Sequence, residues 1–295
     1  MKNYIYYQIN KIYKWYILLI HNIIRLFYRN NNKDFQKIIA LNRTSINNKK
    51  IFLTKQEYEK NTYGIPGHIF LKLDKPINKF PTYSDLFIFF TRYLKKDLNY
   101  LEIGVSVLKN YIQLADNLNN TTLTGYDINP LVPSSEELFN NTENINPELK
   151  NVHFGSNNLN NNKYIYFQGS VLDSTDADKF NSQIVNKKFN FIFSDALHEP
   201  DAVKSEYKNI IKNNLDTEFI LYFDDLGFDG LEETIKDIYL DLKIDNHNLY
   251  YSTFYINGWI GQHEKLHKNG VISTVNLYEE IKKENIKLPL LRNFK

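Results

Sequence analysis

The chain has no cysteine in its 295 residues, which excludes disulfides and every thiolate metal site. It also lacks a charge excess. Lys and Arg number 36 against 34 Asp and Glu, for a net charge of +2, so composition gives no basic surface for nucleic acid. Glycine is scarce, at 11 residues, and no Gly-x-Gly-x-x-Gly loop occurs. No apolar run reaches the roughly 18 uninterrupted residues of a membrane-spanning helix. The strongest candidate, 15–28, is broken by His21, Asn22 and Arg25, and no small-residue cleavage site follows it. What remains is a chain long enough for one large domain plus an extension. Asn, Lys, Ile and Tyr are abundant, a bias that accounts for loops such as 157–162 without a special role.

The periodicity predicts an alternating α/β chain from residue 99 onward. Short apolar runs at 99–104, 121–127, 163–168, 189–195 and 218–224 read as buried strands of a parallel sheet. Helices are expected near 106–118, 176–185, 201–213 and 231–242, with a further helix start at Pro133. Two late strands, 248–256 and 271–275, follow with no long helix between them. The expected fold is a doubly wound, mostly parallel sheet with an antiparallel edge strand. A helical N-terminal extension (1–80) would precede the main domain (81–295). Within the extension, 30–34 and 47–50 read as polar linkers, and 63–68 as a turn with two glycines. A helix should begin after Pro81, capped by Thr82 or Ser84. The apolar N-terminal segment should be helical. Residues 4–28 leave two expectations open, packing on protein, including a second subunit, or lying in a membrane interface.

The informative feature is where the acids fall. Asp127, Asp195 and the pair Asp224-Asp225 each close a predicted strand. Open α/β sheets bind ligands in the crevice at the carboxyl ends of their strands. Gly104 ends the first strand in Leu101-Glu-Ile-Gly104, where glycine lets the backbone turn tightly beside a ligand. Asp127 follows 23 residues later, at a position from which a carboxylate can hold both hydroxyls of a ribose. With a single glycine in the loop, a pyrophosphate has little to sit on, so a ribose-bearing ligand without phosphate fits better. An aspartate ending a strand is also a common turn former, and Asp225 alone would suit a helix cap.

These residues resemble the class I S-adenosylmethionine-dependent methyltransferases over about 85–276. The resemblance implies a Rossmann-like fold and places Glu102, Gly104 and Ser106 in the first cofactor motif. It makes Asp127 the ribose-binding acid and Gln168-Gly169-Ser170 the third-strand motif near the adenine. The family's usual second glycine is Leu108 here, and its usual acid is Ser170. Asp195-Ala-Leu-His198 followed by Tyr222-Phe-Asp224-Asp225 is similar to the metal-dependent O-methyltransferases of the catechol and macrolide-sugar types. That narrower resemblance implies Asp195, Asp224 and Asp225 as magnesium ligands and His198 as general base. The implied reaction is O-methylation of a small hydroxylated acceptor, a sugar by preference, in a cytoplasmic or membrane-associated enzyme. A degenerate, non-catalytic domain of the same fold is the alternative, supported by Leu108. Tyr63, His68, Trp259 and His263 are candidate pocket residues. Oligomeric state is not readable, and a homo-oligomer is compatible.

One motif competes. His263-Glu264-Lys-Leu-His267 matches the His-Glu-x-x-His of zinc proteases. The third ligand position holds Ser273, and the segment lacks the apolar back face a zincin helix needs. It reads instead as a solvated loop or short helix with incidental histidines, placed where it could border the substrate mouth.

Overall fold

The structure is a computed structural model and describes residues 15–16, 19–24, 32–49, 53–77, 80–139, 152–183, 188–258 and 266–294. Its centre is a nine-stranded sheet in the order β3-β4-β2-β1-β5-β6-β8-β7-β9. The expected strands are β1 (Asn99–Ile103), β2 (Thr122–Asp127), β4 (Asn162–Gln168), β5 (Phe189–Ser194), β6 (Leu215–Phe223), β7 (Tyr250–Ile256) and β8 (His267–Ser273). The run β4-β2-β1-β5-β6 is parallel. Strand order reverses between β1 and β5, which makes their carboxyl edge the switch point of a doubly wound sheet. The Rossmann-like expectation therefore holds.

The antiparallel part is larger than expected. β8 is an interior strand, antiparallel to both β6 and β7. Two strands were not predicted. β3 (Val152–Asn157) pairs antiparallel with β4, and β9 (Arg292–Phe294) pairs antiparallel with β7. The Asn-rich loop at 157–162 is thus the tight connection of a hairpin.

The parallel strands are buried on both faces, so successive residues feed two cores. Tyr100, Phe191, Phe193, Ile220 and Tyr222 face one, while Leu101, Ile192, Leu221 and Phe223 face the other. Helices α1 (Lys33–Asn48), α4 (Tyr83–Phe90), α5 (Lys109–Asn117) and α9 (Leu277–Lys283) contribute to the first core. The second takes α6 (Ser174–Gln183), α7 (Pro200–Glu206) and α8 (Leu231–Asp245). Two short helices, α2 (Lys55–Lys60) and α3 (Gly67–Phe70), precede α4.

Local chemistry sets the ends. Thr82 begins α4, its N–H donating to Asp85 Oδ2 at 2.8 Å. Asp85 also takes Arg43 at 2.7 Å and Asn42 at 2.7 Å, which fastens α1 to α4. The predicted linkers at 30–34 and 47–50 are corrected here: α1 begins at Lys33, is capped by Asn32, and runs to Asn48. The expected 201–213 helix breaks into α7, a π-helical stretch at Tyr207–Ile211 and a 3₁₀ turn at Lys212–Asn214. The helix expected at Pro133 is a 3₁₀ segment, Pro133–Phe139. Residues 15–16 and 19–24 are helical as expected, and His21 Nδ1 accepts from the Leu266 N–H at 2.9 Å. Among the described residues no helix is long and apolar enough to cross a membrane.

Candidate active site

At the switch point the hydrogen-bond ladder continues one residue past the strands. Gly104 N–H donates to Tyr126 O, Asp195 N–H to Ile103 O, Gly169 N–H to Asp127 O, each at 2.8 Å, and Asp224 N–H to Ser194 O at 3.2 Å. Backbone pairing thereby lines up the ends of five strands. They border one cavity of about 1040 Å³, lined by Gly104, Ser106, Asp127, Gly169, Ser170, Asp195, His198, Asp224 and Asp225. The structure brings together every sequence-predicted site residue except Glu102. Glu102 is buried and does not line the cavity. Its Oε2 accepts from Tyr100 Oη and Asn110 Nδ2, each at 3.0 Å, and burial raises its carboxyl well above the usual range.

Gly104 has a structural reason beyond ligand approach. Its φ is +90°, and a Cβ there would collide with the Asp195 carbonyl and lie 2.6 Å from Ala196 Cα. The first-strand loop and the β5 loop meet backbone to backbone, and only glycine permits it. Beyond it, Ser106 and Leu108 take φ of +54° and +59°. The loop thus keeps left-handed turns at non-glycine positions, a local cost of order 1–3 kcal/mol each. Leu108 supplies by burial what a glycine would supply by freedom, its side chain being fully buried.

Asp127 is held from both sides. Oδ2 accepts from the Ser106 N–H at 2.7 Å, and Oδ1 from the Asn129 N–H at 2.8 Å and Asn129 Nδ2 at 3.0 Å. Burial raises its carboxyl, and these bonds oppose the rise. The Ser170 N–H donates to Asp176 Oδ2 at 3.0 Å, so an acid six residues downstream serves this loop. Tyr63 and His68 line the cavity as expected, and Ser106 Oγ donates to Tyr63 O at 2.7 Å. Trp259 and His263 lie outside the described residues.

The other half of the cavity is a knot of acids and imidazoles. His198 Nε2 lies 3.1 Å from Asp195 Oδ1, and its Nδ1 3.6 Å from Asp225 Oδ2. His267 Nδ1 lies 3.0 Å from Asp225 Oδ1 and 3.2 Å from Asp224 Oδ2. Asp225 sits at φ +55°, and its N–H donates to Asp224 Oδ1 at 2.7 Å. It is no helix cap, since Gly230 caps α8. Tyr83 Oη reaches toward Asp195 Oδ2 at 3.4 Å, and Phe228 stacks on His198 with ring centroids 5.3 Å apart. Burial drives the Asp195 carboxyl up to about 7, against the pull of His198. Burial would lower His198, but its bond to Asp195 and the surrounding carboxylates outweigh it and hold the imidazole at about 9. His267 is raised for the same reason, by Asp224 and Asp225, against burial.

His267 is the residue that sequence reading misplaced. It opens β8 rather than riding a helix, so the His-Glu-x-x-His reading fails, with His263 and Glu264 outside the described residues. Asp224, Asp225 and His267 each offer a ligand atom within 4.8 Å of the others, and Asp195 joins through His198. Carboxylates and imidazoles converging this closely suit a divalent cation. The signal for His267 was weak, since Lys268, Asn269 and Gly270 separate it from the apolar run that begins at Val271.

No family model matches the chain and no curated protein does. Among solved structures, the O-methyltransferase TomG from Streptomyces achromogenes, involved in tomaymycin synthesis and solved with SAM, aligns at 10% identity. It covers 83% of this chain and 99% of its own, with a TM-score of 0.42. CalS11, a TDP-rhamnose 3′-O-methyltransferase of calicheamicin biosynthesis, aligns at 13% identity over 72% of this chain and 89% of its own, TM-score 0.35. MycE, a methyltransferase of mycinamycin biosynthesis solved with Mg and SAH, aligns at 13% identity over 50% of this chain, TM-score 0.30, and this chain spans only 32% of that one. Likenesses this distant leave the reading of the site to its own residues.

Proposed function

We propose that the chain is an S-adenosylmethionine-dependent O-methyltransferase acting on a small hydroxylated acceptor, a sugar by preference. One observation carries the reading. A ribose-competent acid and an acid–imidazole cluster share a single cavity at the switch point of a doubly wound sheet. On this reading Gly104, Ser106 and Asp127 hold the cofactor, and Asp127 binds the ribose hydroxyls. The acceptor lies on the side of Asp195, His198 and Phe228.

The transfer is an in-line displacement in which the acceptor oxygen bonds the methyl carbon as the carbon–sulfur bond breaks, leaving a neutral thioether. Much of the acceleration comes from holding the two reactants aligned. The acceptor proton goes to His198. Asp195 engages Nε2, so Nδ1, 3.6 Å from Asp225, is the nitrogen left to accept it. His198 is held protonated by the carboxylates around it, and neutralising them is what frees it to act as a base. A divalent cation bound by Asp195, Asp224 and Asp225 would supply that neutralisation and lower the acceptor hydroxyl's pKa.

Titration calorimetry of S-adenosylmethionine, with magnesium and again with EDTA, tests the reading. Micromolar binding in either buffer supports it and justifies an acceptor screen beginning with nucleotide-sugars and glycosides. No binding in both would replace it with the alternative, a non-catalytic binding domain of the same fold.

A further inference from the structure

Asp224 is oriented before any ligand arrives. Its Oδ1 accepts from the Asp225 N–H at 2.7 Å and from Asn269 Nδ2, and Asn269 is itself fixed by Tyr222 Oη. That leaves Oδ2 turned toward His267 Nδ1 at 3.2 Å, with Asp225 Oδ1 3.0 Å from the same nitrogen. Neighbouring ligands of an octahedral ion with bonds of about 2.1 Å stand about 3 Å apart. The His267 nitrogen therefore keeps the spacing from both oxygens that ligands to one ion would keep. Asp224 is buried, its side chain only 3% exposed, and the Asn269–Tyr222 pair behind it is the kind of outer support that metal-ligating carboxylates carry.

We propose that His267 is a nitrogen ligand of this centre, beside Asp224 and Asp225, and that it tunes the site to a first-row transition dication over magnesium. The proposal rests on the metal site of the preceding section. Its chemical ground is donor type. Magnesium takes oxygen donors and keeps its waters, whereas imidazole suits the later divalent ions. A site made only of Asp195, Asp224 and Asp225 would give a weaker preference. In the competing arrangement His267 is a protonated counter-ion of the two aspartates, and it would be displaced when a cation enters.

Electron spin-echo spectroscopy of Mn2+ bound to the full chain separates the two, because a directly bonded imidazole nitrogen modulates the manganese echo. The expected result is ¹⁴N modulation in the wild type and in H198Q, and its loss in H267Q. In parallel, calorimetry should show Co2+ binding at least about tenfold tighter than Mg2+ in the wild type, with the ratio falling in H267Q. Four outcomes would overturn the proposal: no Mn2+ binding, bound Mn2+ without nitrogen coupling, coupling that survives H267Q, or equal affinity for Co2+ and Mg2+. If H267Q does not fold, H198Q still decides, since loss of coupling there assigns the nitrogen to His198. S-adenosylmethionine binding without metal is read on the same protein. If the cofactor binds and the coupling is absent, the ligand assignment alone fails; if neither is seen, the methyltransferase reading fails with it.

Discussion

The two halves of the cavity are held by different forces. On the Gly104–Asp127 side the polar groups are satisfied by backbone and amide donors, with Asp127 alone taking three such bonds. On the Asp195–Asp224–Asp225 side the acids are balanced by two imidazoles, and burial pushes Asp195 up to about 7. The first half is preorganised for the hydroxyls of a ribose, with the burial of Asp127 partly offset by its hydrogen bonds. The second concentrates like charge in a low-dielectric place, an arrangement that a cation relieves. Disturbing the first half should therefore act through shape, and disturbing the second through charge.

The largest expected effect sits where the halves touch. Gly104→Ala would drive a Cβ into the Asp195 backbone at a φ unsuited to alanine. We expect a loss of about 3 kcal/mol or more in urea denaturation, by the mechanisms of overpacking and backbone strain together. A near-neutral result would mean that the two loops are not packed backbone to backbone. Next in size, Asp224→Ala should weaken divalent-cation binding about 100-fold or more while leaving S-adenosylmethionine affinity within about threefold, read by calorimetry. Parallel losses of both would erase the distinction between the halves. Asp127→Ala should do the reverse, lowering cofactor affinity about 100-fold, of the order of two lost charge-assisted hydrogen bonds, with cation affinity unchanged.

One effect grows with pH and concerns Glu206, buried on α7 and feeling Asp195 and His198. Burial raises its carboxyl to about 8, and a hydrogen bond with Ser194 opposes that only in part. An acid whose folded pKa lies above its unfolded value contributes stability that is full below about pH 4.5. That stability is lost as pH rises through about 8. Glu206→Gln should therefore match the wild type near pH 4 and exceed it progressively as pH rises toward 8, by up to about 4 kcal/mol. A pH-independent difference would show that Glu206 is not held neutral.

Much of the sheet was legible because its central strands are buried on both faces and so read as short apolar runs, as at 191–193 and 219–223. β3 escaped because Val152–Asn157 is a half-exposed hairpin arm rich in small and polar residues, and β9 because three residues carry no period. Both ends of α1 were read as polar linkers since Asn32 and Asn47 look like loop residues. One caps the helix, and the other bonds the Ile77 backbone at 2.8 Å. The acids at the strand ends were readable one by one, yet Glu102, named with them, turned out to face Tyr100 and Asn110 instead of the cavity.

The sequence alone determined the alternation of strand and helix and the acids that close the strands, since burial and turn chemistry act over a few neighbouring residues. It also determined the absence of thiol chemistry, which composition decides outright. Only the tertiary structure decided that His267 belongs with Asp224, 43 residues away. β8 enters antiparallel beside β6, pairing Phe223 with Gly270, and that register carries the start of β8 past Asp224 and Asp225. Such a register is set by the packing of two sheet faces at once, and no local pattern encodes it.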